Sequence, residues 1–212
     1  YPFTTIEPNV GRVTVPDPRL GVIAGIEGSA RAVATRLEFV DIAGLVRGAS
    51  RGEGLGNRFL AGIREVDAVA HVLRCFLDDD VAHVDGSVDP VRDADVVETE
   101  LMLADLESLE RRVDDITRKA RSGEADAKAE LARLEPIVEA LNAGTPARAL
   151  ARGNEAAAGG NAIPLLTAKP VLYVCNVGEE DAKSGNAMTE AVAERAASED
   201  AGVVIVSAKV EA

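Results

Sequence analysis

No apolar run in this sequence approaches the roughly 20 residues that a membrane-crossing helix needs, and the opening "YPFTTIEPNV" has neither the basic nor the apolar stretch of a secretory signal. A membrane partner is therefore not expected, and a cytoplasmic location is. Positive charge is scarce: 23 Lys and Arg stand against 36 Asp and Glu, a net charge of -13. That balance argues against a general polyanion-binding surface, so direct DNA binding is not expected. Cysteine is scarce too. Cys75 and Cys175 each lie inside an apolar run, where a thiol behaves as a small buried hydrophobe rather than half of a disulfide. The sequence has no initiator methionine and opens directly on a motif, so we expect a piece of a longer protein.

What is present is a chain of 212 residues, 47% hydrophobic, able to build a sizeable core. Strand-like runs occur at 11–15, 36–41, 69–76, 170–176 and 203–207. The last three are continuously apolar and β-branched, as strands covered on both faces are. Helical segments at 56–66 and 185–199 fall between strands. This alternation predicts an α/β fold with a doubly wound, mostly parallel sheet, whose ligands gather beyond the carboxyl ends of the strands. Asp41, Asn176 and Ser207 stand at such ends.

The interval 98–165 has another period. Met102, Leu106, Leu109, Val113, Ile116 and Ala120 recur at alternating steps of four and three, and Ala127, Leu131, Leu134, Val138 and Leu141 repeat the pattern after "RSGEAD". Two such helices joined by a short turn predict an antiparallel coiled-coil hairpin. Pro136 predicts a kink or restart of the second helix near 135. The expected organisation is a first part of a nucleotide-binding domain at 1–97, a hairpin insertion at 98–165 and the second part of the domain at 166–212.

Asp41-Ile42-Ala43-Gly44 fits D-x-x-G, in which the aspartate holds magnesium through water and the glycine amide faces a terminal phosphate. Thr4 and Thr5 lie in a loop before a strand, where a hydroxyl could ligate the same ion. Asn176-Val177-Gly178-Glu179 and Ser207-Ala208-Lys209 occupy the positions of base-reading loops. Each signal is weak alone; their order along successive strand ends carries the weight. Other residues have plainer readings. His71, in an apolar strand, reads as a packed core histidine. Asp78, Asp79 and Asp80 read as a solvated charge run, and Arg47, Ser50, Arg51 and Glu53 as a polar loop.

The phrases "YPFTTIEPNVG", "DPRL", "EFVDIAGLVRGASRGEGLGN", "ELMLADLESLERR" and the ending "SAKVEA" resemble the YchF or Obg-like ATPase family of P-loop proteins. The resemblance runs along nearly the whole chain and weakens only near 150–165. It implies a magnesium-dependent protein that binds ATP and hydrolyses it to ADP and phosphate, with ribosomal or other translation components as partners. It implies roles residue by residue: Thr5 and Asp41 for magnesium, and Gly44 in the switch that meets the γ-phosphate. Asn176 and Glu179 match an N-x-x-E that replaces the guanine-reading N-K-x-D, with Val177 at the lysine position. Ser207 and Ala208 match the second base-contacting loop, and His83 a histidine used in hydrolysis. The phosphate-binding G-x-x-x-x-G-K-[ST] and the TGS domain of the family are not found in these residues, so the chain alone is expected to be inactive. The alternatives are an Obg-type GTPase and a non-catalytic interaction module that docks through the hairpin.

Overall fold

In the computed structural model, residues 9–42, 55–78, 80–81, 86–150 and 164–211 are described. The chain divides into two compact units, Tyr1–Gly44 and Leu45–Ala212.

In the first unit β1 (Val10–Thr14) pairs with β2 (Arg36–Val40) in a two-stranded antiparallel sheet, with Arg12 opposite Glu38. Their side chains close an exposed ion pair of 2.6 Å. The sequence reading placed these strands in one mostly parallel sheet with the others; they form a separate antiparallel pair instead. "GRVTV" alternates polar and apolar residues, unlike the continuous apolar runs of the parallel strands, and every residue of β1 is exposed. Between them the reading missed helix α1 (Pro18–Ile26). Its start is coded by Asp17, whose carboxylate accepts from the Arg19 amide at 2.9 Å, and by Pro18 in the first turn.

In the second unit β3 (Val69–Arg74), β4 (Val171–Asn176) and β5 (Gly202–Val206) form a parallel sheet in the order β3-β4-β5. The parallel sheet with its helices is the expected α/β class, but the strands are not covered on both faces as their apolar runs suggested: on one face Val72, Leu172 and Val204 are exposed. Leu73, Cys75, Tyr173 and Cys175 bury one face against Ala94 of α3 (Pro90–Arg121) and Val192 and Ala196 of α6 (Ala187–Glu199). Both cysteines are buried free thiols. A hydrogen bond to Cys175 and burial raise the Cys75 thiol well above its ordinary value. His71 packs near Tyr173, ring centres 6.0 Å apart, and burial lowers its pKa to about 4. It is a neutral packed histidine, as its apolar surroundings suggest. Helix α2 (Leu55–Glu65) leads into β3, and buries Leu60 and Ile63.

Helix α3 starts at Pro90, so residue 98 lies inside it. Its later turns pack along α4 (Ala125–Asn142) through Leu109, Ile116 and Ala120 on one side and Ala127, Leu134 and Leu141 on the other. The predicted restart near 135 does not occur: α4 is continuous through Pro136. Proline removes one amide donor there, while Leu131, Leu134 and Val138 continue to pack on the same core. After α5 (Ala147–Leu150) and a short 3-10 turn, Leu166–Ala168, the chain enters β4. Among the described residues no helix is long and apolar enough to cross a membrane.

Candidate nucleotide-base cleft

The parallel register aligns Arg74 with Asn176 and Asn176 with Val206, which brings the carboxyl ends of β3, β4 and β5 to one edge. An open cleft of about 700 Å³ lies there, with Phe76, Asp78, Asn176, Glu179, Asn186 and Lys209 among its walls. This is where a doubly wound sheet is expected to hold a ligand.

The cleft is built by single polar contacts. Asn186 ends the loop before α6 and caps it, its Oδ1 accepting from Met188 N at 3.0 Å and Thr189 N at 3.2 Å. Its Nδ2 donates to the Cys75 carbonyl at 2.8 Å and to Asp181 Oδ2 at 2.7 Å. One side chain thus ties the end of β3, the turn after β4 and the start of α6. Gly185 precedes it with φ 72°, and a β-carbon there would run into Thr189 and Ile205, so only glycine fits. On the opposite wall Arg74 donates to the carbonyls of Phe76, Asp78 and Val81 at 3.1, 3.0 and 2.9 Å, which shapes the loop after β3.

Asn176 ends β4 and lines the cleft. Its Oδ1 accepts from Ala208 N at 3.0 Å, which orients the amide across the gap between the β4 and β5 loops. An asparagine held this way offers a donor and an acceptor side by side, the pair that matches the N7 and 6-amino edge of adenine. Val177 also lines the cleft but is 3% exposed, and its amide donates to Val206 O at 2.9 Å. That amide has no donor left for a ligand. Ser207 lies beneath, its hydroxyl buried and without a hydrogen-bond partner among the described residues. Ala208 begins the short helix α7 (Ala208–Glu211) and lines the cleft.

Charge in the cleft is uneven. Asp78, Glu179, Glu180 and Asp181 line it, and Lys209 is the one cationic side chain among the lining residues. Lys209 Nζ meets Glu179 Oε1 at 2.6 Å, a bond that raises the lysine pKa, with Glu180 and Asp78 adding to the effect.

Five of the expected residues are therefore gathered at one sheet edge: Asn176, Val177, Glu179, Ser207 and Ala208. Asp41 follows β2 in the other unit, exposed, its amide donating to Asn9 O at 2.8 Å. A carboxylate of this kind is a hard oxygen donor suited to Mg2+. Thr5, Gly44 and His83 lie outside the described residues, as do Arg47 and Arg51. Sequence reasoning missed Asn186, Asp181 and Arg74. The N-cap pattern of asparagine before "AMTEAV" was a usable signal for Asn186; nothing local marked Arg74.

A family model described as "50S ribosome-binding GTPase" matches residues 1–126. The "Ribosome-binding ATPase YchF" of Escherichia coli O157:H7 is 49% identical over 212 residues, covering 100% of this chain and 58% of the relative. The protein of that name from Bacillus subtilis (strain 168) is 45% identical over 213 residues, with the same shares of 100% and 58%. Among solved structures, the Schizosaccharomyces pombe YchF GTPase superposes with a TM-score of 0.75 at 33% identity, covering 98% of this chain and 57% of that one. The chain thus spans less than two thirds of the length of these relatives.

Proposed function

The chain belongs to the YchF or Obg-like family of P-loop NTPases, and from that premise we propose that it is part of a cytoplasmic, magnesium-dependent ATPase that works with the ribosome or other translation components. The observation that carries the choice of base is the state of Asn176 and Glu179. Asn176 is anchored by the Ala208 amide with its paired donor and acceptor at the cleft, and the Glu179 carboxylate is engaged by Lys209. A guanine site needs a carboxylate free to accept from the N1–H and 2-amino groups, whereas adenine asks only for the asparagine edge.

The remaining roles follow the family pattern. Thr5 and Asp41 would hold Mg2+, which when bound neutralises charge on the phosphates. The Gly44 amide would face the γ-phosphate. Leu45 stands where Ras-like enzymes carry the water-orienting glutamine and cannot hydrogen-bond, so His83 takes over positioning of the attacking water. ATP binding is assigned to the complete protein, because no phosphate-cradling G-x-x-x-x-G-K-[ST] occurs among these 212 residues. The α3–α4 arm would be the partner-docking insertion.

The second reading, a GTPase, has the names of the family model and of the fission-yeast structure in its favour. Competition of ATP and GTP for the complete protein separates the two. ATP should bind tighter by roughly 10 to 100-fold, a modest factor because removing a guanine clamp does not build a barrier against guanine. His83→Ala should keep that affinity and lose at least about tenfold in turnover. Tighter GTP binding overturns the ATPase reading, and full turnover in His83→Ala removes the histidine from it.

A further inference from the structure

We propose that Lys209 is a positioning residue for base selection: by holding Glu179 across the mouth of the cleft, it withholds the one carboxylate that could serve a guanine. This rests on the reading of the cleft as the nucleotide-base site.

The two residues come from different loops. Glu179 opens the 3-10 turn Glu179–Asp181 after β4, and Lys209 sits in α7 after β5. Neither loop is free to drift. Asp181 is clamped by Asn186, which is itself fixed to the Cys75 carbonyl, and the α7 turn is closed by Val210 and Glu211 amides donating to Ser207 O at 2.9 and 3.1 Å. The ion pair of 2.6 Å therefore joins two braced walls. It is exposed, with Lys209 and Glu179 side chains at 83% and 52%, so it contributes little to folding.

The consequence for recognition is specific. A carboxylate in N-K-x-D enzymes discriminates by accepting two hydrogen bonds from guanine. Glu179 stands at the same position in the loop, one methylene longer, and its charge is already met by Lys209. GTP must displace the lysine before it can use the acid; ATP asks nothing of it. Lys209 also offsets the charge of Asp78, Glu180 and Asp181, so its removal weakens both nucleotides together through general repulsion. The ratio of the two affinities cancels that common part.

The test measures dissociation constants of ATP, GTP and ITP for the complete protein, its Lys209→Met and Lys209→Arg variants, and Lys209→Met combined with Glu179→Gln. In Lys209→Met the GTP-to-ATP affinity ratio should rise at least about fivefold, and by more than the ITP-to-ATP ratio, since ITP lacks the 2-amino donor. Lys209→Arg should leave the ratio near wild type, and adding Glu179→Gln should erase the gain. An unmoved ratio in Lys209→Met, or a gain that survives Glu179→Gln, overturns the role of Lys209. Wild-type preference for GTP, by contrast, overturns the ATPase reading itself.

Discussion

The two halves of helix α3 are held by different physics. Its first half is keyed to its surroundings by buried and half-buried charge. Glu98 pairs with Arg148 at 2.5 Å, while Arg148 also reaches Glu199 at 2.9 Å. Asp105 accepts from Leu166 N, Thr167 N and the Thr167 hydroxyl at 2.8, 2.8 and 2.7 Å. Burial raises the Asp105 pKa against those bonds. The second half packs on α4 through a repeating apolar seam, and its ion pair to that helix, Arg112 with Glu130, is exposed. A seam of interchangeable apolar side chains fixes that two helices lie together. Directed buried charges fix where the pair leaves the sheet, because each has one geometry that satisfies it and none that is cheap to leave half-made.

The largest way to break this contrast is Arg148→Met. Burial by itself would depress the Arg148 pKa, but bonds and charge from Glu98 and Glu199 outweigh it and keep the guanidinium protonated. Removing it deprives the buried Glu98 carboxylate of its guanidinium, while Glu199 keeps Arg195 and the Tyr173 hydroxyl, each at 3.0 Å, and equilibrium urea unfolding should register a loss of about 3–5 kcal/mol. Adding Glu98→Gln should recover part of it. A loss under about 1 kcal/mol would mean that the keyed half is no more directed than the seam.

The next effect depends on pH. His71 has its pKa lowered from 6.5 to about 4, chiefly by burial and then by the Arg195 charge. The unfolded chain binds a proton below pH 6.5 that the folded chain refuses until about pH 4. Its contribution is thus complete above 6.5 and lost as pH falls through that window, by as much as about 3 kcal/mol. His71→Phe should flatten the dependence of the urea midpoint between those limits; an unchanged slope would place the titration elsewhere.

The smallest effect belongs to the seam. Glu130→Gln removes an exposed pair of 2.6 Å and should cost less than about 0.5 kcal/mol, vanishing at high salt. A cost above about 2 kcal/mol would show that the arm depends on charge after all.

The seam was legible in advance because it is periodic: the four-three spacing from Met102 to Ala120 and from Ala127 to Leu141 named its residues directly. The parallel strands were legible as continuous apolar runs, and Asn176, Glu179 and Ala208 were found by motif. Less legible were α1, hidden in a short segment with no buried face, and the antiparallel pairing of β1 with β2. At Pro136 local chemistry asks for a kink or a restart; the restart is absent because the packing on both sides of it keeps the helix continuous. The keys of α3 could not be read at all. Arg148 lies 50 residues from Glu98 and 51 from Glu199 along the chain, and no local pattern joins them.

What the sequence determined by itself, then, is whatever repeats or sits at a strand end: the apolar period of the arm, the three parallel strands, the residues their ends present, and the family they match. The tertiary structure alone decided which polar groups meet. That Asn186 fastens Cys75 to Asp181, that Ala208 aims Asn176, and that Lys209 holds Glu179 all depend on distances of about one hydrogen bond between distant segments. Hydrophobic burial is nearly non-directional and can be read from composition and period, whereas a hydrogen bond or ion pair exists only once the fold has set both partners in place.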